Sequence, residues 1–339
     1  MIYNAVLLYI LMGIAFVRQS VSAFNPHSKS NVVNYWGQGS EERLSEYCSD
    51  DTVDIFALAF VFDIMDGTPI LNLGGHCSGT IGWSSVLDCS NVGQDIKTCQ
   101  KQGKAVVISI GGAVGSYSLP DSKSGRDFAD KVWDMFLGGS SDTRPFGDAV
   151  LDGVDLDLES GQTEGYVAFI QALRKKFKSS HGKYYITGAP QCPYPDRATG
   201  DALAHAWFDF VWVQFYNNYC GVQSFGTSNF NFETWNNWAK TVSVNKNVKI
   251  LLGVPGGPGA AGSGVIDSKK LATILKSLRS YSHFGGVMMW DAGTARESGL
   301  ASAASKVLHK SSSSKSDSKS KLKTQSRRSR ASSKRRLTY

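Results

Sequence analysis

The chain has 339 residues, 42% hydrophobic, with 35 glycines and six cysteines. That is apolar mass for one large domain or two ordinary ones, and too much for a disordered chain. The net charge of +7 is uneven: residues 310–339 hold 11 Lys and Arg against one acid, so the rest is mildly acidic. This excludes a body built around a broad basic face for nucleic acid.

The first segment carries an apolar run, AVLLYILMGIAFV, of 13 residues, short for a ~30 Å hydrocarbon core. It ends in RQSVSA, where Val21, Ser22 and Ala23 supply the small side chains of a cleavage site. Residues 1–23 therefore read as a signal peptide and the protein as secreted, with an uncleaved anchor as the alternative. Cys48, Cys77, Cys89, Cys99, Cys192 and Cys220 suit an oxidising compartment, although their number alone fixes no pairing. No Cys-x-x-Cys pair occurs and the histidines are scattered, so neither a metal nor another cofactor is expected.

Eight short apolar runs follow: 31–36, 54–62, 104–110, 149–159, 184–190, 208–216, 248–255 and 284–291. Between them lie amphipathic stretches such as 125–137, 164–177 and 268–279, with helical spacing. Strands alternating with helices imply parallel pairing, and eight such units suit a (β/α)8 TIM barrel over residues 24–309. A doubly wound sheet is the competing α/β architecture, but the glycine-rich turn expected after its first strand is missing. In a barrel the reactive residues gather at the C-terminal ends of the strands. Tyr35 and Trp36, Asp157 and Glu159, Gln214 and Tyr216, and Trp290 and Asp291 are placed there.

The fourth run, LDGVDLDLESG, holds Asp155, Asp157 and Glu159 at every second position, hence on one face of a strand. Neighbouring carboxyls at ~6.6 Å spacing along the strand resist joint ionisation, so at least one stays protonated and can serve as a general acid. Glu159 is outermost with the longest stem, which makes it the acid, with Asp157 orienting it and Asp155 behind. Three acids also suit Ca²⁺ or Mg²⁺, but calcium loops need turn-forming spacers. Val154, Leu156 and Leu158 instead favour a buried strand.

At these residues DGVDLDLE resembles the family 18 glycoside hydrolase signature Asp-Gly-x-Asp-x-Asp-x-Glu. SIGG (109–112) is similar to the family's second motif. YWGQ (35–38), QCPYPD (191–196), VQFYNNYC (213–220) and MMWD (288–291) resemble its plant-type and yeast secreted endochitinase branch. The likeness spans about residues 30–308. It implies a retaining, substrate-assisted cleavage of chitin. Glu159 would be the proton donor, Asp157 and Asp155 its supports, and Tyr216 would hold the substrate's acetamido group. It implies substrate-binding roles for Tyr35, Phe60, Gly112, Gln214, Asn218 and Trp290, and the disulfides Cys48–Cys99, Cys77–Cys89 and Cys192–Cys220. Only 31 positions separate Pro255 from Gly286, so the α+β insertion of the bacterial and animal branch is absent. An open groove suited to internal cuts follows.

Beyond residue 309 the pattern stops in a Ser/Lys/Arg-rich tail that cannot repay its ordering entropy and is expected to be disordered. Anionic cell-wall polymers are its candidate partners rather than nucleic acid. The expected reading is a secreted, monomeric endochitinase acting on chitin or its oligosaccharides, at or near the cell wall and in its remodelling. Two alternatives are a non-catalytic lectin or inhibitor on the same barrel and an endo-β-N-acetylglucosaminidase acting on N-glycans.

Overall fold

The computed structural model describes residues 24–39 and 41–309; the segments read as signal peptide and basic tail lie outside them. The strands are β1 (Asn31–Trp36), β2 (Ile55–Met65), β3 (Thr68–Leu71), β4 (Ala105–Gly112), β5 (Gly153–Leu158), β6 (Tyr185–Gly188), β7 (Phe210–Gln214), β8 (Lys249–Pro255) and β9 (Phe284–Trp290). All but β3 run parallel, in the order β1-β9-β8-β7-β6-β5-β4-β2. β1 also pairs with β2, from Val33 opposite Ile55 to Trp36 opposite Leu58. That last pairing closes the sheet into the eight-stranded barrel predicted from the eight apolar runs.

The helices α1 (Leu44–Cys48), α2 (Ser90–Lys101), α3 (Ser122–Phe136), α4 (Tyr166–Ser179), α5 (Gly200–His205), α6 (Phe232–Thr241), α7 (Ser268–Leu278) and α8 (Ala292–Glu297) ring the barrel. α3 shows why. Asp121 accepts from the Ser124 backbone N–H and Ser124 returns the bond, a capping box that starts the helix six residues before its apolar stripe. Phe128, Ala129, Val132, Met135 and Phe136 then recur at helical spacing and are buried.

Strand alternation separates two cores. Phe56 and Leu58 of β2 pack under the helices, while Ile55, Ala57 and Ala59 fill the barrel with Tyr35, Trp212 and Met288. The floor is plugged by Phe24, its ring 5.3 Å from Tyr185 and 5.6 Å from Phe210, at the starts of β6 and β7. Trp36 ends β1, where the sequence places it, and faces outward to the helix layer, 4.3 Å from the His76 ring.

β3 is an addition to the pattern. β2 climbs past its neighbours, reverses at Asp66 and Gly67, both with positive φ (50° and 73°), and returns antiparallel as β3. Two such residues in a row give the turn whose twist suits a hairpin. The three disulfides pair as the resemblance implied, with Cα separations of 4.9 Å (Cys48–Cys99), 4.4 Å (Cys77–Cys89) and 5.9 Å (Cys192–Cys220). Between β8 and β9 there is α7 and loop, with no inserted domain.

Candidate active site

The carboxylate row sits on β5 as its spacing predicts. Asp155 and Asp157 share the inward face, and Glu159 stands one residue past the strand's last residue, Leu158. Asp155 is fully buried. The register places Ser109 of β4 and Thr187 of β6 on either side of it. Ser109 Oγ donates to Asp155 Oδ2 at 2.7 Å and Thr187 Oγ1 to Oδ1 at 2.7 Å. The Tyr35 phenol adds a third bond at 2.6 Å, while accepting from Trp212 Nε1 at 2.9 Å. Burial raises the Asp155 pKa, and the three hydroxyl donors oppose the rise. Tyr35 was expected to line the cleft. It lies a layer deeper, as one of the groups that hold Asp155.

Asp157 is 4% exposed and accepts from Gln214 Nε2 at 2.8 Å. Its pKa lies well above the ordinary carboxylate value, first through burial, then through the charges of Glu159, Asp155 and Asp196. Glu159 is raised as well, by burial and by Asp196, against the amide of Gln214. The Tyr216 phenol is pushed well up by burial and by the same carboxylates, so it remains a hydrogen-bond donor at any working pH. The row thus holds its protons more tightly than free carboxyls would. Both Asp155 oxygens and Asp157 Oδ1 are taken up by hydroxyl and amide donors, which is not the arrangement of a cation's cage.

Asp157, Glu159, Gln214 and Tyr216 open together into a cleft of about 230 Å³. Phe60, Gly112, Asn218 and Trp290, all named from the sequence, are also part of its wall. The Phe60 and Trp290 rings stack at 5.6 Å and 19°, forming an apolar floor. The SIGG stretch has a physical reading here. Ser109 binds Asp155. At Gly111 (φ +124°) a Cβ would stand 2.0 Å from the Asp157 carbonyl oxygen, and at Gly112 (φ +95°) it would meet the Phe60 ring at 3.0 Å. β4 can approach β5 this closely only with glycine there.

Several contributors had no assigned role in the sequence reading. Gln38 and Asn72 line the cleft, joined by a 2.8 Å bond from Gln38 Nε2 to the Asn72 carbonyl. Asp196, within QCPYPD, accepts from the backbone of Gln191, Ala198 and Thr199, and so fixes the loop after β6 beside the carboxylates. Tyr117 bonds the loop that carries Glu159. A larger groove, about 1050 Å³, lies at the other end of the barrel near Phe24 and Trp207. Its acids are committed to structure: Asp152 accepts from the Val106 N–H, and Asp209 from the Ile186 N–H and Arg174.

The chain is 49% identical over 288 residues to "Chitinase 2" of Rhizopus oligosporus, covering 82% of this chain and 52% of that relative, so it spans about half of that protein's length. Among solved structures it resembles the ICChI chitinase from Ipomoea carnea, with a TM-score of 0.73, 33% identity, and coverage of 82% of this chain and 100% of that one. It also resembles the xylanase and α-amylase inhibitor protein XAIP-II from Scadoxus multiflorus, with a TM-score of 0.71 and 31% identity, over 81% of this chain and 97% of that one. The description "Glycosyl hydrolases family 18" matches residues 31–270. With its carboxylate row, its cleft and these likenesses, the chain belongs to glycosyl hydrolase family 18.

Proposed function

We propose that the protein is a secreted endochitinase that cuts internal β-1,4 bonds between N-acetylglucosamine units with retention. The observation that carries the reading is one cleft holding two carboxylic acids of raised pKa, Asp157 and Glu159, beside a protonated phenol, Tyr216. An inhibitor among the relatives shares the barrel, so the fold does not decide activity. The intact acid row favours the enzyme.

Glu159 stands at the mouth of the row and donates its proton to the glycosidic oxygen. The substrate's acetamido carbonyl then attacks the anomeric carbon, giving an oxazolinium ion in place of an enzyme ester. Asp157, kept in place by Gln214, faces the acetamido N–H and stabilises the positive charge that develops there. Tyr216 donates to the carbonyl oxygen and orients it for attack. Trp290 supports the distorted sugar. Glu159, now a carboxylate, takes a proton from water, which opens the oxazolinium from the same face. The short β8–β9 connection carries no inserted domain, which supports an open groove and internal cuts. Its site of action is outside the cell, where chitin of a fungal wall is remodelled.

The test is proton NMR of the first products from fully acetylated chitin oligomers, with deacetylated chitosan and a high-mannose glycoprotein in parallel. Retained β-anomers from the oligomers and no cleavage of chitosan are expected. Initial α-anomers would remove the substrate-assisted mechanism. Cleavage of the glycoprotein alone would move the substrate to N-glycans, and no cleavage at all would leave a binding protein.

A further inference from the structure

Glu159 lies beyond the last rung of its strand: Gly112 opposite Leu158 ends the β4–β5 ladder. The pairing that fixes Asp155 and Asp157 therefore stops short of Glu159. In its place stands one phenol. Tyr117 is buried, and its oxygen accepts from the Glu159 N–H at 3.1 Å and from the Ser160 N–H at 3.1 Å. It donates its own proton to the Gly112 carbonyl at 2.8 Å, with Ser160 Oγ 3.2 Å away. One donor and two lone pairs are thus all in use. The Tyr117 backbone is held in turn, its carbonyl accepting from Tyr166 of α4 at 2.7 Å.

We infer that Tyr117 is a positioning residue for the catalytic acid: its phenol oxygen extends the strand ladder by one residue, fixing the height and aim of the Glu159 carboxyl. The inference rests on the reading of Glu159 as proton donor. Two consecutive N–H groups converging on one oxygen set the Glu159 backbone torsions, so the side chain leaves the strand end in a single direction. A carboxyl displaced by about 1 Å is a poor acid, because proton transfer depends steeply on reach. The substrate's acetamido attack, on Asp157 and Tyr216, does not depend on this phenol.

That asymmetry gives the test. Tyr117→Phe keeps the ring and removes the oxygen. Turnover is measured on chitopentaose, whose sugar leaving group needs a proton, and on 4-nitrophenyl chitobioside, whose phenolate leaves with little help. Tyr117→Phe is expected to lower kcat at least tenfold on chitopentaose and less than threefold on the aryl glycoside, with KM unchanged within twofold on both. Ser118→Ala is the control, removing the bond that Ser118 Oγ accepts from the Gln162 N–H of the loop after Glu159, and should leave the ratio of the two rates unchanged. Where Tyr117→Phe does not fold, 3-fluorotyrosine at 117 keeps every contact with a weaker acceptor and should move the ratio the same way by a smaller factor. Equal losses on the two substrates, unchanged rates, or the same ratio shift in Ser118→Ala would overturn the inference. A wild-type protein inactive on both substrates would instead refute the reading of Glu159.

Discussion

At the scale of single residues, three carboxyls of one row are given three different tasks by their neighbours. Asp155 has three hydroxyl donors and no opening to the cleft, so it acts on the site through its charge. Asp157 has one amide donor and three negative neighbours. Glu159, half-buried, has the reach. Glu159→Gln keeps shape and hydrogen-bonding capacity but has no acidic proton, so hydrolysis of chitin oligomers should fall by about 10²–10⁴-fold or more. Oligomer binding, read by calorimetry, should persist. Tyr216→Phe removes one orienting bond, and a smaller drop in kcat is expected from the same assay. Wild-type turnover by Glu159→Gln would remove the assignment of the acid.

At the scale of elements, the site depends on how closely β4 can approach β5. Gly111→Ala would press a methyl against the Asp157 carbonyl oxygen at 2.0 Å, in a φ that side chains disfavour. It should cost roughly 2–4 kcal/mol by chemical denaturation and depress turnover, because the carbonyl that moves belongs to Asp157. Gly67→Ala, at the tip of the hairpin with nothing within 4 Å, should cost only the ~1–2 kcal/mol of its left-handed backbone and leave turnover intact. The same contrast explains what could be read without coordinates. Period-two alternation and apolar runs reveal all eight barrel strands, and the row on β5 follows from its spacing. Ser109 and Thr187 beside Asp155 arise from strand register, which becomes visible only once neighbours are known. Tyr117 acts on backbone groups of another loop and Asp196 on those of its own, and neither leaves a periodic trace. The β2–β3 turn did have a signal, Asp66-Gly67, but Asp63 ends the apolar run at Phe62, so the continuation of β2 to Met65 does not show in the pattern. Trp36 ends β1 beside Tyr35, but successive side chains face opposite ways, so only Tyr35 points into the barrel.

At the scale of the whole molecule, the site is held at the expense of stability. A carboxyl whose folded pKa is raised binds its proton more tightly folded than unfolded. Its contribution to stability therefore falls as pH rises above the unfolded value and is fully restored below it. Asp157 is such a group, buried with three negative neighbours. Asp157→Asn keeps an acceptor for Gln214 and removes the ionisation, so the variant should melt at a higher temperature than the wild type at pH 7. The conversion is about 2 °C for each kcal/mol in a domain of this size. At a pH below the ordinary carboxylate range both side chains are neutral in both states, and the two melting curves should converge. The gain at pH 7 should accompany a large loss of turnover, as expected where function maintains a strained arrangement of charge. Melting temperatures differing by the same amount at both pH values would assign the effect to packing. A less stable Asp157→Asn at pH 7 would mean that the carboxylate is favoured inside the barrel, against the burial and the neighbouring charges that raise its pKa.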